Sequence, residues 1–167
     1  MRISDVQLLY DYNCWANRII LDKTLTVPVE DLAQVIITSQ PTIFETLTHT
    51  LDSEYVWRTI CQNNAYSGRL TDKETLSDLE MLRASWEREE DAMRQYLNTL
   101  NDDNMDGIVR YEVEEGIRER VLWQCLVHMI NHGTQHRSEC ATMLTALGHS
   151  PGSLDFSYYI NIRNGIE

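Results

Sequence analysis

Late in the chain, the stretch LVHMINHGTQHRSEC spaces His128, His132 and His136 four residues apart and sets Gly133 among them. On a helix, neighbours four residues apart differ by about 6 Å in height and can share one metal ion, whereas His128 and His136 are about 12 Å apart along the axis. One ion cannot comfortably take all three, and the favoured pair is His132 and His136, the two that the apolar seam of the helix turns inward. An imidazole placed where leucine would otherwise pack needs a hydrogen-bonding or metal partner, because an unsatisfied buried polar group costs on the order of 1–3 kcal/mol. Gly133 costs roughly another 1 kcal/mol relative to alanine in a helix. Two unfavourable choices side by side suggest a site, or a close helix crossing lined by satisfied histidines.

Several chemistries are excluded. Gly133, Thr134 and Gln135 separate the two histidines, so the His-Glu-x-x-His zinc protease pattern and its built-in base are absent. The chain has no Gly-rich phosphate loop, no G-x-S-x-G elbow and no Cys-His nucleophile signature. A helix pair needs a further protein ligand to hold a divalent ion well. His49 is the natural candidate, since bundle metal sites draw ligands from facing helices. Asp52, Glu54, Cys125 and Glu139 compete with it on periodicity alone, and His149, beside Gly148, reads as an exposed cap residue.

The elements that must position these residues follow from hydrophobic period. Leu122, Leu126, Met129, Gly133, His136, Cys140, Met143 and Leu147 alternate by four and three, the inward seam of a helix from about Glu119 to Leu147 with Gly148 as its C-cap. At about 100° per residue, His136 lies near the centre of that seam, His132 about 70° to one side and His128 about 110° away. Upstream, Ser4 and Gln7 stand in capping-box spacing before a helix whose apolar face carries Leu8, Leu9, Tyr12, Trp15, Ala16, Ile19 and Ile20. A second helix spans about 41 to 61, with Pro41 near its N-terminus. Ser77 and Glu80 open a third, with Leu79, Leu82, Trp86, Met93 and Leu97 at helical intervals. IVRYEVEEGIRERV, around Gly116, fits a short hairpin or extended crossover, and the tail after Gly148 a turn and short helix. The expected fold is all-α: one domain over 1–167, a four-helix bundle with a longer crossover between helices 3 and 4.

A chain of 167 residues can bury a core without disulfides or structural metals, so any metal here is suspected of function. Cys14, Cys61, Cys125 and Cys140 lack Cys-x-x-Cys spacing and are expected as reduced thiols, in keeping with a cytoplasmic location. Fourteen basic against 26 acidic residues, a formal net charge of −12, argue against nucleic-acid binding. No segment approaches the roughly 20 apolar residues that cross a bilayer, and the N-terminus reads as a helix rather than a signal peptide.

HMINHGTQHRSECATMLTALG resembles the last long helix of the DinB/YfiT-like bundle proteins, whose motif reads approximately N-H-x-x-x-H-R-G-Q before a leucine-rich stretch. HTLDSEYVW resembles that family's helix-two histidine followed by tryptophan, and YNCWANRII its Tyr-Asn-x-Trp-Ala-Asn signature in the first helix. The resemblance spans nearly the whole chain. It implies a four-helix bundle, commonly a homodimer, with a divalent metal, zinc or nickel, held by His49, His132 and His136. Ser138 and Glu139 stand where the family more often has Gly and Gln, and Gln135 replaces a frequent aromatic. Glu139, seven residues after His132 and nearly on its face, could supply a carboxylate as catalytic base or ligand support.

Relatives in this family use low-molecular-weight thiols, so the resemblance implies a thiol S-transferase acting on a small-molecule electrophile in stress or detoxification. Two alternatives stay open. One is a hydrolase using metal-bound water with Glu139 or Asp52 as base. The other is a non-catalytic, dimeric metal-binding protein.

Overall fold

A computed structural model describes residues 1–32 and 41–166. Helix α1 runs Ile3–Leu25, and its N-terminus is closed by Asp5, whose carboxylate accepts from the Arg2 backbone N–H. The capping pair is thus Arg2 and Asp5 rather than Ser4 and Gln7, because the helix starts one residue earlier than Ser4. A single turn, α2 (Val29–Leu32), follows. Helix α3 (Ile43–Asn63) is capped by Thr42, whose hydroxyl accepts from Glu45 N, and Pro41 stands next to the helix N-terminus, just before that cap. Its far end stops at Asn64, which adopts the left-handed conformation that asparagine tolerates. Helix α4 spans Leu79–Asn98, with Asp78 as its cap in place of Ser77.

The segment around Gly116 forms an antiparallel hairpin, β1 (Ile108–Val113) with β2 (Gly116–Val121), pairing Val113 with Gly116 and Ile108 with Val121. Gly116 has φ +109°, a value that a side chain would oppose. The fold is therefore mostly helical with one small sheet, not all-α. Because β2 claims residues 119–121, helix α5 begins at Leu122 and runs to Ala146. Its end is a Schellman motif: Gly148, at φ +83°, donates to Thr145 O, and His149 N donates to Leu144 O. Helix α6 (Phe156–Arg163) lies on α1. Tyr12 meets Phe156 edge-on at 5.2 Å, and its hydroxyl donates to Leu154 O.

The four long helices touch in a closed circuit, with α5 against α1 and α3, and α4 against the same two. Two apolar clusters fill the interior. One, toward the hairpin, gathers Val6, Tyr10, Ile60, Met93, Met105, Leu126 and Met129; the other gathers Ile20, Leu47, Leu51, Leu82, Met143 and Leu144. Along α1, α3 and α5 the residues between those clusters are Asn13, Asn17, Glu54, Gly133, His136 and Arg137, all buried. A polar layer thus divides the core at mid-height.

That layer corrects the expected face of α1. Leu8, Leu9, Trp15 and Ile19 are only half-buried, while Asn13 and Asn17 point fully inward. A hydropathy pattern locates an inward face only when the buried residues are apolar. Among the described residues, no helix is long and apolar enough to cross a membrane.

Candidate metal centre

His132 and His136 lie on α5, His49 faces them from α3, and one ring nitrogen of each falls within 4.8 Å of the others. The Nε2 atoms of His132 and His136 are 3.1 Å apart. Two nitrogens each about 2.05 Å from a tetrahedral ion stand roughly 3.3 Å apart, so this pair already has the spacing that a shared ion imposes. His49, whose ring nitrogen lies up to 4.8 Å from the other two, joins them by closing up to about 1.5 Å through side-chain adjustment, given metal–nitrogen bonds near 2 Å. The rings are mutually inclined, with His49–His136 edge-on at 4.7 Å between centroids.

Glu139, one turn beyond His136, sits 2.8 Å from its Nδ1. A carboxylate there accepts the Nδ1–H, fixes the tautomer and leaves Nε2 with its lone pair directed at His132 and His49. Burial, reinforced by His136, His49 and His128, pushes the His132 pKa down to about 4. Burial, with His136 and Arg69, also lowers that of His49. Both therefore favour the neutral imidazole that a metal requires. His132 Nδ1 is buried with no hydrogen-bond partner, so this ring is held by packing and by its Nε2 contact alone. The donor set is three nitrogens on two helices, which suits zinc, nickel or another borderline divalent ion.

The competing ligands are placed elsewhere. Asp52 accepts from Thr71 N at 3.0 Å and from Thr71 Oγ1 at 2.7 Å. Cys125 is buried beside Cys61 in the hairpin-side core. Exposed His128 is not among the grouped nitrogens and instead meets Trp57 edge-on at 4.7 Å.

Glu54 is the centre of the polar layer. Its Oε1 accepts from Asn13 Nδ2 at 2.8 Å and Asn17 Nδ2 at 2.9 Å, and its Oε2 from Trp86 Nε1 at 3.2 Å. The same two amides turn their oxygens to Arg137, whose Nη1 donates to Asn13 at 2.5 Å and Asn17 at 2.8 Å. Burial raises the Glu54 pKa, opposed by Asn13, Asn17 and the Arg137 charge. Among the described residues its hydrogen-bond partners are three donors, which match an ionised carboxylate. The asparagines thus bridge a buried Glu–Arg pair across α1, α3 and α5.

Gly133 belongs to this layer. A Cβ there would come within 2.8 Å of Arg137 Nη1 and 2.9 Å of Asn13 Oδ1. The missing side chain makes room for a guanidinium and an amide. The network was not recognised from sequence, although Asn13, Asn17 and Arg137 are the polar letters of the YNCWANR and HR stretches, and polar letters at core-facing spacing were the available signal.

Residues 3–165 match the sequence model of the DinB family. The chain belongs to the DinB family. Protein DinB of Bacillus subtilis (strain 168) is 27% identical over 157 residues, which cover 91% of each chain. A DinB-like protein from Bacillus cereus ATCC 10987 superposes with a TM-score of 0.71 at 16% identity, over 91% of this chain and 97% of that one. A DinB-like protein of Bacillus subtilis superposes at 0.66 with 14% identity, over 85% and 92%. The mostly helical DinB fold thus carries a histidine cluster able to hold one metal ion.

Proposed function

We propose that this DinB-family protein binds one divalent metal, zinc or nickel, through His49, His132 and His136, and that it transfers a low-molecular-weight thiol to a small electrophile. The observation that carries the reading is the gathering of three imidazole nitrogens within 4.8 Å of one another, two of them 3.1 Å apart. Three protein ligands leave coordination positions open, as catalytic sites do. The chemistry that such an ion supplies is Lewis acidity, which favours thiolate over thiol at neutral pH.

The remaining work falls to the chain. Glu139 holds the His136 ring in the ligating tautomer and is a positioning residue. Burial keeps His132 neutral. Trp57, packed on His128, gives an aromatic surface on the hairpin side of the cluster. The hydrolytic alternative needs a carboxylate as base, yet Glu139 is engaged with His136 and Asp52 with Thr71. Thiol transfer needs no such base, because the proton of a small thiol can pass directly to water. The proposal includes a cytoplasmic homodimer serving stress or detoxification chemistry, and molar mass in solution tests the dimer.

The deciding experiment incubates metal-loaded protein with an electrophile and a panel of cellular thiols, in parallel with His132→Ala. Conjugation to one thiol is expected in the native protein and is lost in the variant. Conjugation that survives His132→Ala rules out the metal-thiol mechanism.

A further inference from the structure

A cavity of about 410 Å³ opens against His49 and is lined by Phe44, Glu45, Thr48, Asp52, Arg69 and Thr71. Among the described residues, Arg69 supplies the only cation of this lining. Its position is fixed by the loop that carries it. Asp72 accepts from Arg69 N at 2.8 Å, and two residues on, Thr71 is tied by backbone and hydroxyl to Asp52, one turn after His49 on α3.

The acidic groups of the lining are already engaged. Asp52 holds Thr71, and Glu45 accepts from the Thr42 hydroxyl at 2.8 Å. The exposed Arg69 guanidinium makes no ion pair among the described residues, and Asp72 meets it only through the backbone N–H. A guanidinium with no ion pair among the described residues, on the wall of a cavity bordered by His49, is placed to receive an anion, and its planar fork matches a carboxylate with two parallel hydrogen bonds.

We propose that Arg69 is a specificity residue, and that the small molecule reaching the histidine cluster carries a carboxylate, which Arg69 binds while another group of the same molecule faces His49. The inference rests on the metal reading above and names the class of ligand that the site selects: a small organic acid, with a mercaptocarboxylate uniting both requirements in one molecule.

The test uses full-length protein loaded with cobalt(II), whose visible absorption reports ligands and whose sulfur charge-transfer band reports a bound thiol. It is titrated with mercaptosuccinate, with 2-mercaptoethanol as the uncharged thiol and succinate as the acid lacking sulfur. Mercaptosuccinate is expected to bind roughly three- to tenfold more tightly relative to 2-mercaptoethanol in the native protein than in Arg69→Ala, the range of a partly exposed charge-assisted pair. Arg69→Lys keeps part of that preference, the cobalt content is unchanged in both variants, and succinate competes with mercaptosuccinate only where Arg69 is present. A preference unaltered by Arg69→Ala, or a loss equal for both thiols, overturns the Arg69 assignment while leaving the metal site standing. Failure of the native protein to take up cobalt overturns the metal reading and this inference together.

Discussion

Replacing glycine by alanine in the middle of a helix normally stabilises it by about 1 kcal/mol, because alanine loses less backbone entropy and adds no strain. Gly133→Ala is expected to do the reverse. The new Cβ would stand 2.8 Å from Arg137 Nη1 and 2.9 Å from Asn13 Oδ1, closer than Cβ atoms come to either. Neither neighbour is a free surface group, since Asn13 is 0% and Arg137 3% exposed. They are also bonded to each other at 2.5 Å, so separating them from the intruding carbon weakens a charge-assisted hydrogen bond in the core.

Such a bond is worth roughly 1.5–3 kcal/mol, and subtracting the helix gain of about 1 leaves a net loss of roughly 0.5–2 kcal/mol. For a chain of this size that is a fall of about 1–6 °C in melting temperature. Urea unfolding of the metal-free protein measures it as a lower midpoint at unchanged slope. A double-mutant cycle with Asn13→Ala isolates the cause: with the amide gone, half of the crowding is relieved, and Gly133→Ala should cost measurably less. A Gly133→Ala protein as stable as the native one, or more so, refutes the account of this glycine.

Two further outcomes follow from the histidine cluster. Glu139→Gln, which weakens the acceptor at His136 Nδ1, should lower metal affinity by about 10- to 100-fold without changing helix content, as read by chelator competition and circular dichroism. The metal-free protein should also lose stability in acid. His132 has its folded-state pKa lowered to about 4 from 6.5, so the unfolded chain takes up the proton first. Its contribution is fully present above pH 6.5 and disappears as pH falls toward 4. With allowance for partial exposure and coupling to its neighbours, this amounts to no more than about 2 kcal/mol. Urea midpoints at pH 7 and pH 4.5 check it, and His132→Asn should flatten the difference.

What could be read from the sequence divides along physical lines. The α5 seam from Leu122 to Met143 is buried as its spacing requires, and His49, His132 and His136 come together as the family resemblance implies. Apolar period and the His132–His136 spacing are local properties of one helix, so both survive folding unchanged, whereas His49 joins from α3 and was reached through the resemblance. The inward face of α1 and the capping residues were misplaced for a different reason. Asn13 and Asn17 are buried through partners on α3 and α5, at sequence separations of 37 to 124 residues. Within α1 the one signal is their four-residue spacing among core-facing positions, which does not name the partners. Likewise, strand and helix preferences are close enough near residues 119–121 that pairing with β1 settles the boundary.

The buried layer and the histidine cluster are adjacent parts of one arrangement. Arg137 follows His136 directly on α5, and Glu54 lies five residues beyond His49 on α3, so the Glu54–Asn–Arg137 bridge fixes the same two helices that carry the histidines. A metal site requires its ligands to be held within about half an ångström of their bonding positions. Apolar packing alone permits a helix to slide or rotate by such amounts, whereas a bridge with paired donors and acceptors does not. A buried ion pair offers little net stability over an apolar core of the same shape. Its placement at the height of the histidines, with Gly133 removed from the packing to admit it, is therefore better explained by the positional accuracy that it gives His49, His132 and His136 than by any strengthening of the fold.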